Sequence, residues 1–236
     1  MIKKLSKQAV VIHSGGMDSS ICLAIAMREF GKDAVLSLSF RYGQRHINEL
    51  KQAEKICRIW GVDHTILNID CLQMITESAL LDRETKISGS EHGPPNTLVV
   101  GRNGLMARIG AIHANSLGAS CLYMGVIEVE SSNSGYRDCS RAYMDLKQEI
   151  LRLDLANPSF EIRTPLVKMT KKETLEIAHS MGVLNFLLLE TISCYEGVPH
   201  QGCLVCPACH LRNEGIRQFV RANAQYLLLR EFNLFD

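Results

Sequence analysis

Short apolar runs alternate with longer stretches of helical apolar spacing through most of this chain. Gln8 to His13 holds four apolar residues in succession, the pattern of a buried strand. Asp18 to Phe30 follows as a helix closed by Gly31, and Asp33 to Phe40 reads as a second strand. His46 to Trp60 carries Ile47, Leu50, Ala53, Ile56 and Cys57 at helical spacing, and Gly61 is its stop signal. His64 to Ile69 is a third strand. Asn103 to Leu117 is a helix ended by Gly118, and Cys121 to Ile127 is a fourth strand. An amphipathic helix is expected from about Ser140 to Leu155, then a short strand over Phe160 to Arg163. Thr170 and Glu173 form a capping box for one more helix, which ends at Gly182. Residues 83 to 97, with Gly93, Pro94 and Pro95, break the rhythm and read as a long loop, often a functional feature in a compact domain.

Repeated strand–helix units predict the α/β class, a doubly wound parallel sheet with helices on both faces. The expected division is an α/β domain over residues 1–183 and a smaller helical region over 184–236, packed on the same core. Leu187 to Leu189 and Leu227 to Leu229 read as core or interface. The apolar end (Tyr226 to Leu229, Phe232, Leu234, Phe235) hints at an interface, and with it a homodimer.

Composition narrows the partners rather than the fold. The 236 residues are 46% hydrophobic and 22% charged with a formal net charge of +1, which excludes wholesale disorder and disfavours nucleic acid as a partner. The apolar run Ala9 to Ile12 is too short for a signal peptide, and no stretch approaches the ~18 apolar residues of a membrane span. No membrane is expected, and the cytoplasm is the expected location.

The candidate chemistry begins between the first strand and first helix, at Ser14-Gly15-Gly16-Met17-Asp18-Ser19-Ser20. Ligands of doubly wound sheets bind at the carboxyl ends of strands. Glycines let backbone approach a phosphate, and the helix N-terminus turns N–H groups toward the anion. Ser14, Ser19 and Ser20 add hydroxyls, and Asp18 would hold Mg²⁺ or orient the loop. The loop has no lysine and lacks Walker A and Rossmann spacing. The expected ATP contacts are Ile12, His13, Ser14, Gly15, Gly16, Met17, Asp18, Ser19, Ser20, Ile21 and Cys22.

A second constellation lies near the other end. Cys194, Cys203, Cys206 and Cys209 follow the pattern C-x8-C-x2-C-x2-C. Four thiolates at such spacing suit a closed structural Zn²⁺ site. An iron–sulfur cluster is the rival, although the ferredoxin continuation C-x3-C-P is absent. Cys22, Cys57 and Cys121 read as core, and Cys139 is either a catalytic thiol or a buried loop thiol.

Ser-Gly-Gly-x-Asp-Ser after a first strand resembles the PP-loop of the ATP pyrophosphatases. Together with the four cysteines it resembles, within that group, the 7-cyano-7-deazaguanine synthase family of queuosine biosynthesis. The likeness extends through Tyr42-Gly43-Gln44-Arg45-His46 with Glu49, Asn96-Thr97, Gly101-Arg102-Asn103, Ser134-Gly135-Tyr136, Asp138-Cys139, Thr164-Pro165-Leu166, Cys194-Tyr195 and Leu211-Arg212. It implies a ligase that converts 7-carboxy-7-deazaguanine and ammonia to the nitrile through the amide, with ATP and Mg²⁺ as cosubstrate and zinc on the cysteines. Ser14, Asp18 and Arg102 would be its catalytic residues, Arg102 through a phosphate or carboxylate contact. Arg45 and His46 are either similar contacts or solvated loop residues. Val100, Arg137 and Ser140 stand where the family carries Pro, Pro and Arg, and residues 128–140 are about two residues longer. A paralogue with another amine acceptor therefore stays open. So do a tRNA-thiolating enzyme and a non-catalytic zinc-binding interaction module.

Overall fold

Five parallel strands form one sheet in the order β3-β2-β1-β4-β5 in the computed structural model, which describes residues 6–45, 47–82, 84–87, 95–128 and 136–223. The strands are β1 (Ala9–Ile12), β2 (Val35–Arg41), β3 (Asp63–Asn68), β4 (Cys121–Met124) and β5 (Glu161–Arg163). The helices are α1 (Met17–Phe30), α2 (Asn48–Trp60), α3 (Cys71–Ile75), α4 (Arg102–Ser116), α5 (Arg141–Asp154), α6 (Lys171–Ser180), α7 (Leu184–Glu190) and α8 (Pro207–Ala222). The order reverses at β1, which pairs with β2 on one side and β4 on the other. This is the switch point where such sheets open a crevice beyond their carboxyl ends.

Strand alternation sorts the apolar residues into two cores. Ala9 and Val11 join the face covered by α1, α6, α7 and α8, with Ile21, Leu23, Leu175, Leu187 and Phe219. Val10, Leu36, Leu38 and Phe40 join the opposite face, under α4 and α5, with Ala107, Ala111, Leu151 and Ile162. α4 lies close on the sheet through Gly110, where a Cβ would come within 2.8 Å of Ile12 Cδ1. The cysteine-bearing end of the chain is joined to the first core through Leu184 and Leu187 of α7 and Ile216 and Phe219 of α8.

The predicted elements shift mainly at their ends. Strand β4 stops at Met124 rather than Ile127, because a Cβ at Gly125 would lie 2.8 Å from Ser19 N. The chain must leave the sheet there to pass the start of α1. β2 starts two residues late, behind a 3-10 turn over Lys32–Ala34. The capping box of α6 forms as expected: Glu173 N–H donates to Thr170 Oγ1 at 3.3 Å and Thr170 N–H to Glu173 Oε2 at 2.7 Å. The short helices α3 and α7 went unpredicted. The apolar residues from Tyr226 to Phe235 lie outside the described residues, as does much of the loop at 83–97. Among the described residues no helix is long and apolar enough to cross a membrane.

Candidate functional site

The loop after β1 is held from inside and outside. Gly15 has φ +83°, and a Cβ there would come within 2.3 Å of Glu49 O and 2.8 Å of Ala53 N, so α2 can approach only a glycine. Gly16 N–H donates to Ser14 Oγ at 3.3 Å, and the Ser19 and Ser20 hydroxyls donate to Gly16 O at 3.1 and 2.8 Å. His13 is completely buried behind the loop, with Nε2 3.0 Å from Ser20 Oγ and Nδ1 3.0 Å from Ser37 Oγ. Burial, with His64 adding, pulls its pKa down to about 3, so the ring stays neutral. From outside, Ile192 N–H donates to Gly15 O at 3.1 Å, and Met17 N–H donates to Ser193 Oγ at 3.3 Å. Cys194, the next residue, is the first of the four cysteines.

A cavity of about 300 Å³ opens on this loop. Ser14, Gly16, Met17, Asp18 and Ser19 line it, with Ile12 and His13 behind them. Lys171 Nζ donates to Asp18 Oδ2, while Asp18 Oδ1 is buried without a hydrogen-bond partner. An orphaned carboxylate oxygen beside a phosphate loop fits a divalent cation. Sequence reasoning missed Lys171. It is the first residue of α6, where a positive charge opposes the helix dipole, and that misplacement was its available signal.

A second set of lining residues comes from other segments: Tyr42, Glu49, Arg102, Asn103, Cys139 and Tyr195. Arg102 opens α4, donates to Tyr42 OH at 3.3 Å and lies 5.6 Å from that ring's centre. Burial alone would lower its pKa, but Tyr42, Tyr195, Asp138 and Glu49 together raise it and keep it cationic. Asn103 N–H donates to Asp138 Oδ2 at 3.0 Å, which fixes the start of α4. Burial pushes the Glu49 carboxyl up to about 7 against the pull of Arg102. Burial raises the Tyr42 and Tyr195 phenols as well, so both remain donors.

Several sequence candidates lie elsewhere. Gly15, Ser20, Ile21 and Cys22 do not line the cavity; Ile21 and Cys22 are fully buried in the first core. Helix α1 turns them inward, and Ser20 serves the loop from behind. Arg45 lines the cavity but is engaged as a brace. It donates to the carbonyls of Ala79, Asp82 and Thr85 and pairs with Glu196 at 3.0 Å. Cys139 is a half-buried loop thiol pushed up to about 12 by desolvation, with Asp138 adding, and its sulfur accepts from Asn103 Nδ2 at 3.3 Å. It is therefore not poised as a thiolate. His46, Ser134 and Gly135 lie outside the described residues.

The four cysteines converge, with all four sulfurs within 4.8 Å of one another. A single tetrahedral ion with ~2.3 Å arms places its sulfurs about 3.8 Å apart, so the set fits one ion. A cubane cluster, with each thiolate on a different iron, would spread them wider. Cys206 N–H points to Cys203 Sγ at 3.3 Å and Glu196 N–H to Cys194 Sγ at 3.4 Å, contacts that stabilise thiolates. At Gly202 a Cβ would lie 2.2 Å from Cys209 Sγ, so the knuckle closes only around a glycine.

Solved structures similar to this chain include the U34-tRNA thiolase NcsA from Methanococcus maripaludis with its 4Fe-4S cluster. It is 16% identical over 97% of this chain and 72% of that one, with a TM-score of 0.48. The NH3-dependent NAD synthetase from Campylobacter jejuni is 17% identical over 77% of this chain and 67% of that one, at 0.47. The NMN synthetase from Francisella tularensis is 13% identical over 93% and 86%, at 0.46. These likenesses concern shape and do not reach substrate. The family model described as queuosine biosynthesis protein QueC matches residues 8–220, and this chain belongs to that family.

Proposed function

We propose that this protein is an ATP-dependent carbon–nitrogen ligase that converts 7-carboxy-7-deazaguanine and ammonia to 7-cyano-7-deazaguanine. The observation that carries the reading is one cavity lined both by the phosphate loop with Asp18 and by Arg102. A carboxylate does not react with ammonia, because its oxygen is a poor leaving group. Transfer of AMP from ATP to that oxygen removes the obstacle, and repetition on the amide oxygen gives the nitrile. On this reading the Ser14, Ser19 and backbone donors hold the pyrophosphate, and the α1 N-terminus faces its charge. Asp18 holds the Mg²⁺ that accompanies ATP, which neutralises phosphate charge when bound. Lys171 balances Asp18 and adds a cation beside the phosphates. Arg102, kept charged by its neighbours, orients the substrate carboxylate. The cysteines hold zinc with a closed shell, so the metal shapes the site without entering the chemistry.

Support comes from membership of the QueC family, the position of the loop at the switch point, and the fit of the sulfurs to one ion. Incubation of the protein with ATP, Mg²⁺, ammonium and 7-carboxy-7-deazaguanine, followed by mass spectrometry, tests it. Amide and then nitrile are expected, with two AMP for each nitrile. An adenylate that never becomes amide would point to a different amine acceptor. No ATP consumption would overturn the reading.

A further inference from the structure

Two carboxylates line the cavity among the described residues, Asp18 and Glu49, and they are committed very differently. Asp18 is bonded to Lys171 and belongs to the phosphate loop. Glu49 stands in the first turn of α2. Its main chain is pressed against Gly15, yet its carboxylate has no hydrogen-bond or ion-pair partner among the described residues. Cations that could have paired with it are engaged elsewhere: Arg45 with Glu196, Lys171 with Asp18, and Arg212 with Asn213 Oδ1 at 3.0 Å. Arg102 is near enough to be felt electrostatically but directs its hydrogen bond to Tyr42. A half-buried carboxylate left without a donor is unfavourable unless a ligand supplies one.

The ligase reading creates a need for such a group. Near neutral pH the nitrogen arrives as ammonium, which has no lone pair with which to attack. Few other lining groups can take the proton. His13 is buried with both ring nitrogens bonded. Lys171 is held in its ion pair, Cys139 keeps its proton, and the Tyr42 and Tyr195 phenols are raised above their ordinary range.

Resting on that reading, we infer that Glu49 seats the ammonium ion beside the phosphate loop and accepts its proton. The carboxylate draws in the cation, takes one N–H proton and leaves neutral ammonia. The ammonia lone pair forms the C–N bond at the adenylated carbon. The C–O bond to AMP then breaks, AMP departs with that electron pair, and the released phosphate takes the extra proton from the nitrogen. Glu49 then returns its proton to solvent, and after the second adenylation the carboxylate takes one N–H proton and solvent the other as the nitrile forms and AMP leaves again.

The test separates activation from nitrogen transfer in the full-length, metal-loaded protein. Pyrophosphate exchange into ATP, dependent on 7-carboxy-7-deazaguanine, needs no nitrogen. Amide formation against ammonium concentration does. For Glu49→Gln we expect exchange to persist with an unchanged KM for the carboxylate. Amide formation should fall about 100-fold, and ammonium should no longer saturate. Glu49→Asp should recover part of the loss. Exchange that falls in step with amide formation, in a variant with wild-type thermal stability, would make Glu49 a contact to the heterocycle or ATP and overturn the inference alone. Unchanged amide formation would overturn it too. If Glu49→Gln folds poorly, the same split measured in Glu49→Asp decides. Wild-type protein without exchange would overturn the ligase reading, and this inference with it.

Discussion

The phosphate loop and the second set of cavity residues are built in opposite ways. The loop is contiguous: Ser14 to Ser20 bond mainly to one another, and His13, Lys171, Ile192 and Ser193 add bonds from adjoining structure. The second set is gathered from distant segments, with Tyr42 after β2, Glu49 in α2, Arg102 and Asn103 at α4, Cys139 before α5, and Tyr195 beside Cys194, the first of the four clustered cysteines. A site made of neighbours is organised by its own strand and helix. A site made of strangers depends on every element that delivers a member, and here the cysteine knuckle delivers Tyr195 and Arg212.

Metal removal should expose that contrast most strongly. Stripping the metal, or Cys206→Ser, should unfold the segment around residues 194–213. Carboxylate-dependent turnover should then be lost by more than about 100-fold, while binding of an ATP analogue weakens by only about 10-fold. Equal losses of both would erase the distinction; calorimetry on the apo-protein measures them. Arg102→Met should come next. It should raise KM for the carboxylate substrate by about 10- to 100-fold with little change in KM for ATP, the usual scale for a lost hydrogen bond to a charged group. A rise confined to ATP would move Arg102 to the phosphate group. Ser193→Ala removes the hydroxyl that receives Met17 N–H and should raise KM for ATP about two- to tenfold. No change would detach the knuckle from the loop.

A separate effect, on stability rather than on the site, concerns His13. Its folded pKa of about 3 lies below the unfolded value of about 6.5. Its contribution to stability is therefore complete above pH 6.5 and is lost as pH falls toward 3. At pH 5 the unfolded chain gains roughly 2 kcal/mol from this one proton. Urea midpoints at pH 7 and 5 should show that slope in the wild type and a shallower one in His13→Gln.

The same contrast governs what was legible in the sequence. The sheet, α1 and the capped α6 could be read because periodicity, glycine stops and the Thr170–Glu173 pair are local signals. The loop and the four cysteines could be read because each is compact in sequence. Glu49 could be noticed as part of a motif, but nothing local says that it lacks a partner among the described residues, because that depends on where Arg45, Lys171 and Arg212 are pinned. Ser193 looks like any loop serine until α7 carries it to Met17. Strand β4 was overextended because Val126 and Ile127 are apolar and buried, while the close approach of Gly125 to Ser19 is a tertiary fact.

The central claim is that both substrate oxygens leave on AMP. Substrate labelled with ¹⁸O at both carboxylate oxygens, turned over with unlabelled ATP and ammonium, tests it directly by mass spectrometry of the nucleotide. The account predicts one ¹⁸O in the first AMP as amide forms, one in the second as nitrile forms, and none in pyrophosphate. Label in inorganic phosphate, or AMP that stays unlabelled while nitrile accumulates, would contradict it.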